Sequence, residues 1–324
     1  MPCAFILSEG SERIGARPRL HARILILHMI RIFATMLAAL TGLAFGSFLN
    51  VCVTRWPAGE SVVTPRSHCR SCARTLAWWE NIPVVSWLAL RGRCRTCGAS
   101  ISWRYPLVEL ALAVLWGITA WRYLDWILTP DESTRVIQFA AAALVVAKLV
   151  LYWLLVALAV LDAENLWLPD WLTLPGTILG FSYSLLPYYL IDRVPLFGIQ
   201  RAPVSRLALT SMLAIAISVG LILMIRWGYW LIRRREGMGL GDAKLMAMLG
   251  AWLGLPGALL SFVIGVVLAT IAAFGLLALP AARRGSESWI ASKLPLGTFL
   301  CIGGIFSALW GQQLIAAYLH WAGF

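Results

Sequence analysis

The sequence predicts an all-α, polytopic membrane protein of about eight transmembrane helices, interrupted by one small polar insert. Three observations predict it. Hydrophobic residues make up 60% of the 324 and charged residues 13%, for a mean hydropathy of +0.79. A soluble domain of this size needs far more polar surface. The apolar residues come in long blocks, and those at 136–161 and 206–230 each exceed the roughly 20 residues a helix needs to cross a bilayer. Basic residues gather in the short segments between blocks, as the positive-inside rule expects of cytoplasmic loops. The net charge of +12 therefore does not indicate nucleic acid, because a nucleic-acid binder collects its arginines on one folded face.

The elements follow in chain order. Residues 1–28 form a basic tail with Arg13, Arg17, Arg19 and Arg23 ahead of any span. Met29 stands directly before the first apolar run and is a second candidate start; the alternative is a genuine tail lying on a membrane surface. The first transmembrane helix is expected at 29–53 and the polar insert at 54–104. Further spans are expected near 105–123, 136–161, 171–190 and 206–231. The block from Asp242 to Pro280 is too long for one crossing. Gly254, Pro256 and Gly257 in its middle mark a turn between two helices, the first of them short. The last span falls near 296–320, and 105–324 together form one transmembrane domain. Eight helices result, with six or seven as rival counts.

Eight helices put three basic groups on one side, read as cytoplasmic. These are the insert (Arg55, Arg66, Arg70, Arg74, Arg91, Arg93, Arg95, Arg104), the loop with Arg233, Arg234 and Arg235, and the loop with Arg283, Arg284 and Lys293. The opposite loops hold Arg122, Arg135, Arg193 and Arg201. The tail 1–28 falls on that side too, against the rule.

The insert contains Cys69-Arg-Ser-Cys72 and Cys94-Arg-Thr-Cys97. Two thiolates three residues apart grip one face of a tetrahedral ion, and paired knuckles of this kind are a zinc signature. Four sulfurs leave no open coordination position, so Zn2+ is expected to be structural. It would supply the folding energy that a small cytoplasmic zinc-binding insert lacks. Disulfide pairing is the alternative, disfavoured on the cytoplasmic side. His68, beside Cys69, is a ligand in another arrangement. Cys3, Cys52 and Cys301 are isolated and read as packing.

Ionisable groups in or beside spans are costly and default to function. Asp162 directly follows one apolar run, with Glu164 and Asp170 beyond it, and Asp242 closes Gly237-Met-Gly-Leu-Gly-Asp242 at the head of another. Both sites fall on the cytoplasmic side, so Asp162 and Asp242 can face each other across one cleft. Two carboxylates in contact share a proton. One then takes a proton from water while the other protonates the scissile carbonyl or leaving amine. The plainer reading is that Asp242 caps a helix and Asp162 marks where a span meets water. Glu164 reads as a solvated neighbour, and Asp170 as a cap or a cleft-lining group.

These motifs, in this order, resemble the bifunctional type IV prepilin peptidases (leader peptidase/N-methyltransferases), of the Gly-x-Gly-Asp intramembrane aspartyl protease class. The resemblance covers most of residues 41–304. It rests on Gly46-Ser-Phe-Leu-Asn50, Arg55 and Pro57, the four cysteines, Asn81-Ile-Pro83, Arg91-Gly-Arg-Cys94, Tyr105-Pro106 and Glu109. It continues through Asp162, Leu168-Pro-Asp170, Leu172-Thr-Leu-Pro175, Glu236-Gly-Met-Gly239, Gly241-Asp-Ala-Lys-Leu245 and Leu249-Gly250. It implies a catalytic pair at Asp162 and Asp242 and a metal set at Cys69, Cys72, Cys94 and Cys97. It implies prepilins and type II secretion pseudopilins as substrates, cut after the leader glycine at the cytoplasmic face of the inner membrane. The new N-terminus would then be methylated from S-adenosylmethionine. No glycine-rich strand–turn–helix motif for that donor exists in the sequence, and the insert is its expected seat.

The chain departs from the family in two motifs. Glu164 stands where members often have a second aspartate, and Pro295-Leu-Gly-Thr-Phe299 replaces the Pro-Phe-Gly-Pro-Phe of many. Neither departure is expected to touch the catalytic pair. Glu164 and Asp170 are expected to offset the repulsion between a basic leader and the basic loops. Rival readings are a polytopic transporter or channel relaying protons through Asp162 and Asp242, and a zinc-dependent assembly scaffold without chemistry. A signal-peptide-peptidase type of protease lacks its Tyr-Asp partner here, since Leu161 precedes Asp162.

Overall fold

The computed structural model describes residues 9–127, 135–191, 203–234, 239–278 and 294–323. Arg193, Arg201, Arg235, Glu236, Gly237, Met238, Arg283, Arg284 and Lys293 lie outside the described residues, as do Cys3 and the tail before Glu9. Helix α1 runs Glu9–Arg55, α2 Val85–Ala89 and α3 Arg104–Ile127. Helix α4 runs Arg135–Asn165, α5 Asp170–Ile191, α6 Val204–Arg233, α7 Leu240–Ala278 and α8 Leu296–Trp321. No strand occurs among the described residues.

Among the described residues, six helices (α1, α3, α4, α6, α7 and α8) are long and apolar enough to cross a membrane, so the protein is multi-pass. The expected eight are reached only by adding the 22-residue α5 and counting α7 twice. Helix α1 starts far ahead of the expected 29–53, although Gly10, Gly15 and Pro18 in its extension are poor helix formers. Its apolar stretch, with the turn that follows it, is Leu25–Ala58.

Helix α7 breaks at Gly254, at φ 66° and ψ 177°, a conformation essentially restricted to glycine. The contacts on α8 show that the chain reverses there. Before the break, Leu249 lies where a Cβ on Gly304 would meet it. After it, Gly257 lies against Ser307 and Gly265 against Leu300. The second leg therefore climbs back along α8 toward the end at which the first leg began. The first leg, Leu240–Leu253, spans about 21 Å at 1.5 Å per residue, short of a bilayer's roughly 30 Å. The hairpin tip borders a cavity of ≈ 460 Å³ whose lining includes Ser211, Ala214, Trp252, Gly254 and Pro256.

The core lies between α1, α3, α4, α5, α7 and α8. Leu49, Leu112, Leu155, Leu158, Leu161, Leu245, Met246 and Leu249 are fully buried in it. Phe33, Leu40, Ile271 and Phe274 point outward, an apolar exterior that suits lipid and not water.

The insert follows α1. Its two cysteine loops are built alike. In the first, the Cys69 N–H donates to Arg74 O (2.9 Å) and the Ala73 N–H to Cys69 O (2.8 Å). In the second, the Cys94 N–H donates to Ala99 O (2.8 Å) and the Gly98 N–H to Cys94 O (2.9 Å). Arg55 closes the near end by donating to Ser61 O (2.8 Å) and Pro65 O (2.7 Å). Arg74 pairs with Glu80 at 2.7 Å. That guanidinium, with the Ala77 N–H, holds the Glu80 carboxyl below its usual range.

Candidate active site and metal centre

The C-terminal ends of α1 and α4 and the N-terminal ends of α3, α5, α7 and α8 meet at one end of the bundle, which also carries the insert. Arg104 of α3 reaches Thr54 of α1 (2.7 Å) and pairs with Glu164 of α4. Lys244 of α7 pairs with Asp170 of α5 at 2.5 Å.

Asp162 sits in the last turn of α4 and not beyond it, because that helix continues to Asn165. The Leu166 N–H donates to Asp162 O (2.9 Å) with Leu166 in the left-handed region, which stops the helix. Pro169 then precedes α5. The first N–H groups of any helix lack an intrahelical acceptor, and those of α8 point at Asp162. The Thr298 N–H donates to Asp162 Oδ2 at 2.7 Å, and the Gly297 N–H also bonds the carboxylate. The Thr298 hydroxyl lies 3.2 Å from the same oxygen and 3.0 Å from Ala159 O. A Cβ at Gly297 would lie 2.9 Å from both Asp162 Oδ2 and Leu168 Cδ1, so glycine is required for this approach.

Asp242 is the third residue of α7 and accepts the Gly239 N–H. It therefore stands inside the helix and is not its N-cap residue; its carboxylate bonds backward to the residue ahead of the helix. Only 9% of Asp242 and 6% of Asp162 are exposed. The two carboxylates lie within electrostatic reach of one another, and the fully buried Cys301 lies within reach of both. Leu168 lies against both Gly241, which precedes Asp242, and Gly297, whose N–H meets Asp162.

One expectation is corrected here. The departure Pro295–Phe299 does touch the pair, since its Thr298 and Gly297 hold Asp162. A proline at position 298 would offer neither N–H nor hydroxyl. Glu164 and Asp170 are solvent-exposed, and each has a cationic partner at the bundle end, Arg104 and Lys244. Sequence reasoning also gave no role to Glu109. It is buried in α3, accepts the Val84 N–H at 2.7 Å and bonds the side chains of Ser47 and Asn50. A carboxylate inside an apolar span was the available signal.

The Sγ atoms of Cys69, Cys72, Cys94 and Cys97 all lie within 4.8 Å of one another, and Cys69 and Cys97 are 3.8 Å apart. A tetrahedral ion with metal–sulfur bonds of about 2.3 Å has sulfur–sulfur edges of about 3.8 Å, so the set fits one metal. Backbone N–H groups aim at the sulfurs. Those of Cys97 and Thr96 pull the Cys94 thiol down to about 6, and those of Cys72 and Ser71 lower Cys69. Both changes favour the thiolate that a metal needs. His68 is outside this set; its Nδ1 lies 3.1 Å from Arg66 O.

The family model described as Bacterial Peptidase A24 N-terminal domain matches residues 40–123, and that described as Type IV leader peptidase family matches 149–274. Proteins named prepilin leader peptidase/N-methyltransferase from Stutzerimonas stutzeri and from Pseudomonas aeruginosa are each 36% identical over 313 residues, 88% of this chain and 93% of theirs. One of the same name from Myxococcus xanthus is 37% identical over 232 residues, 71% of this chain and 59% of its own. No solved structure matches the chain.

Proposed function

The chain belongs to the type IV leader peptidase family, and on that premise we propose that it removes the leader peptide from type IV prepilins and pseudopilins, with Asp162 and Asp242 as the catalytic pair. The observation that carries the assignment is the burial of these two carboxylates within electrostatic reach of one another at the bundle end, Asp162 held by N–H groups at the start of α8 and Asp242 by the Gly239 N–H. One carboxylate takes a proton from a water as its oxygen attacks the scissile carbonyl carbon. The other protonates the carbonyl oxygen. Collapse of the resulting diol breaks the C–N bond and releases the new amine with a proton. Thr298 and Gly297 hold Asp162 in place for this, so the water meets a fixed oxygen.

The bundle end bearing the pair is the cytoplasmic face of the bacterial inner membrane in this reading, where a basic leader stays while the prepilin's apolar helix enters laterally. The insert 54–104 is a unit held by structural zinc on Cys69, Cys72, Cys94 and Cys97, and 105–324 is the peptidase domain following the first helix. The relatives' shared name supports a second activity, methylation of the new N-terminus from S-adenosylmethionine. No strand–turn–helix cradle for such a donor occurs among the described residues, and none of them is assigned a step in that transfer. No nucleic acid has a part.

The test is cleavage of a model prepilin by purified wild type, Asp162→Asn and Asp242→Asn in detergent, with product mass as readout. Cleavage after the leader glycine by wild type alone supports the pair. Turnover in either folded variant removes that residue from the mechanism. Solute flux in liposomes without cleavage would favour the transporter reading.

A further inference from the structure

Glu109 lies five residues past Arg104 in α3, about 7.5 Å further along the helix at 1.5 Å per residue. Arg104, paired with Glu164 and bonded to Thr54, belongs to the polar rim of the bundle end. The Val84 N–H, bound to Glu109 at 2.7 Å, therefore sits below that rim, at the depth of the first apolar turns of α3. Val84 has φ 61°, which a β-branched residue adopts only when its surroundings force it. The insert is thus pulled into the bundle at this point.

Helix α2 starts from that pin. Its inner side is occupied: the Trp87 ring packs against Trp103 with the planes inclined at 51° and the centroids 4.1 Å apart, and its N–H donates to Ile101 O at 3.1 Å. Its outer side is apolar and bare. Ile82, Val85 and Leu88 are 38%, 59% and 62% exposed; Trp103, which Trp87 contacts, is 73% exposed, and Leu107, one helical turn further on, 67%. Leu107 opens the lipid-facing row of α3 that continues through Leu110 and Val114. Just past α2, Arg91 and Arg93 are exposed.

We propose that Ile82–Ala89 is embedded in the headgroup–acyl boundary of the bilayer, so that the insert rides in the membrane surface and is not suspended in water above it. The occupant of the apolar face is lipid. Depth fixed by Glu109, continuity with the lipid-facing row of α3, and an interfacial tryptophan all point to it. The arginines after α2 lie where anionic headgroups would meet them. The anchor sets the height of the cysteine loops relative to the carboxylate pair and limits how far they can swing.

The experiment places a nitroxide-bearing residue at Leu88 and, separately, at the exposed Arg66, by a ketone-reactive label that leaves the cysteines untouched. The full chain is placed in nanodiscs of phosphatidylethanolamine and phosphatidylglycerol, with metal content checked. Collision with apolar oxygen is compared with collision with a water-soluble nickel complex. The expected result is a Leu88 label reached several-fold more by oxygen than by nickel, and the reverse at Arg66. Equal nickel access at the two positions would overturn the proposal. So would a Leu88 label that loses oxygen access when a prepilin helix peptide is added, since the face would then belong to the substrate.

Discussion

Replacing Thr298 by valine removes one hydroxyl and keeps the side chain's shape. The N–H bond to Asp162 Oδ2 at 2.7 Å survives, while the hydroxyl contact at 3.2 Å is lost. A hydrogen bond to a charged group contributes about 1.5–3 kcal/mol. This one is long for an O–H donor, and the hydroxyl's single proton is shared with Ala159 O at 3.0 Å. The low end applies, about 1.5 kcal/mol, or about tenfold in rate. Thr298→Val should therefore lower kcat for prepilin cleavage by about tenfold with KM little changed, because the hydroxyl holds Asp162 and not the substrate. Thr298→Ser restores the donor and should recover most of the loss. Steady-state cleavage in detergent, with circular dichroism to confirm helix content, measures all three proteins. Wild-type kcat in the valine variant, or a serine variant as slow as valine, would refute the reasoning.

Other expectations follow from the same geometry. Gly297→Ala places a Cβ 2.9 Å from Asp162 Oδ2 and Leu168 Cδ1; overpacking of this kind costs about 1–3 kcal/mol, and cleavage should drop more than in Thr298→Val while the thermal midpoint in detergent falls only modestly. Gly254→Ala forces a Cβ into a glycine-only conformation at the α7 turn, and should lower the thermal midpoint by an amount corresponding to about 1–3 kcal/mol. In metal-free protein the depressed Cys94 thiol stays ionised down to a pH of about 6. Its contribution to stability is present above the unfolded value and lost as pH falls through the folded one. Thiolate absorbance should therefore show a component with that midpoint, missing in Cys94→Ser, and one metal ion per chain should abolish the titration.

Much of this molecule was legible along the chain. The bilayer admits only helices with their backbone bonds closed internally, so runs of apolar residues translate directly into spans. The cysteine pairs were legible because a knuckle is local: its loop closes within six residues, from Cys69 to Arg74. Asp162 and Asp242 stood out because acids are rare at the ends of such runs.

What surrounds those residues came from packing between helices distant in sequence, which no periodicity encodes. Thr298 meets Asp162 across 136 residues, Glu109 meets Val84 across 25, and Arg104 pairs with Glu164 across 60. The glycines and proline near 254 announced a break in α7. That the second leg returns along α8 was decided by where Gly257 and Gly265 dock. A sequence states which groups can bond and how far each helix can reach. Which donor finds which carboxylate depends on how the helix ends converge, and that is set by side-chain packing throughout the bundle.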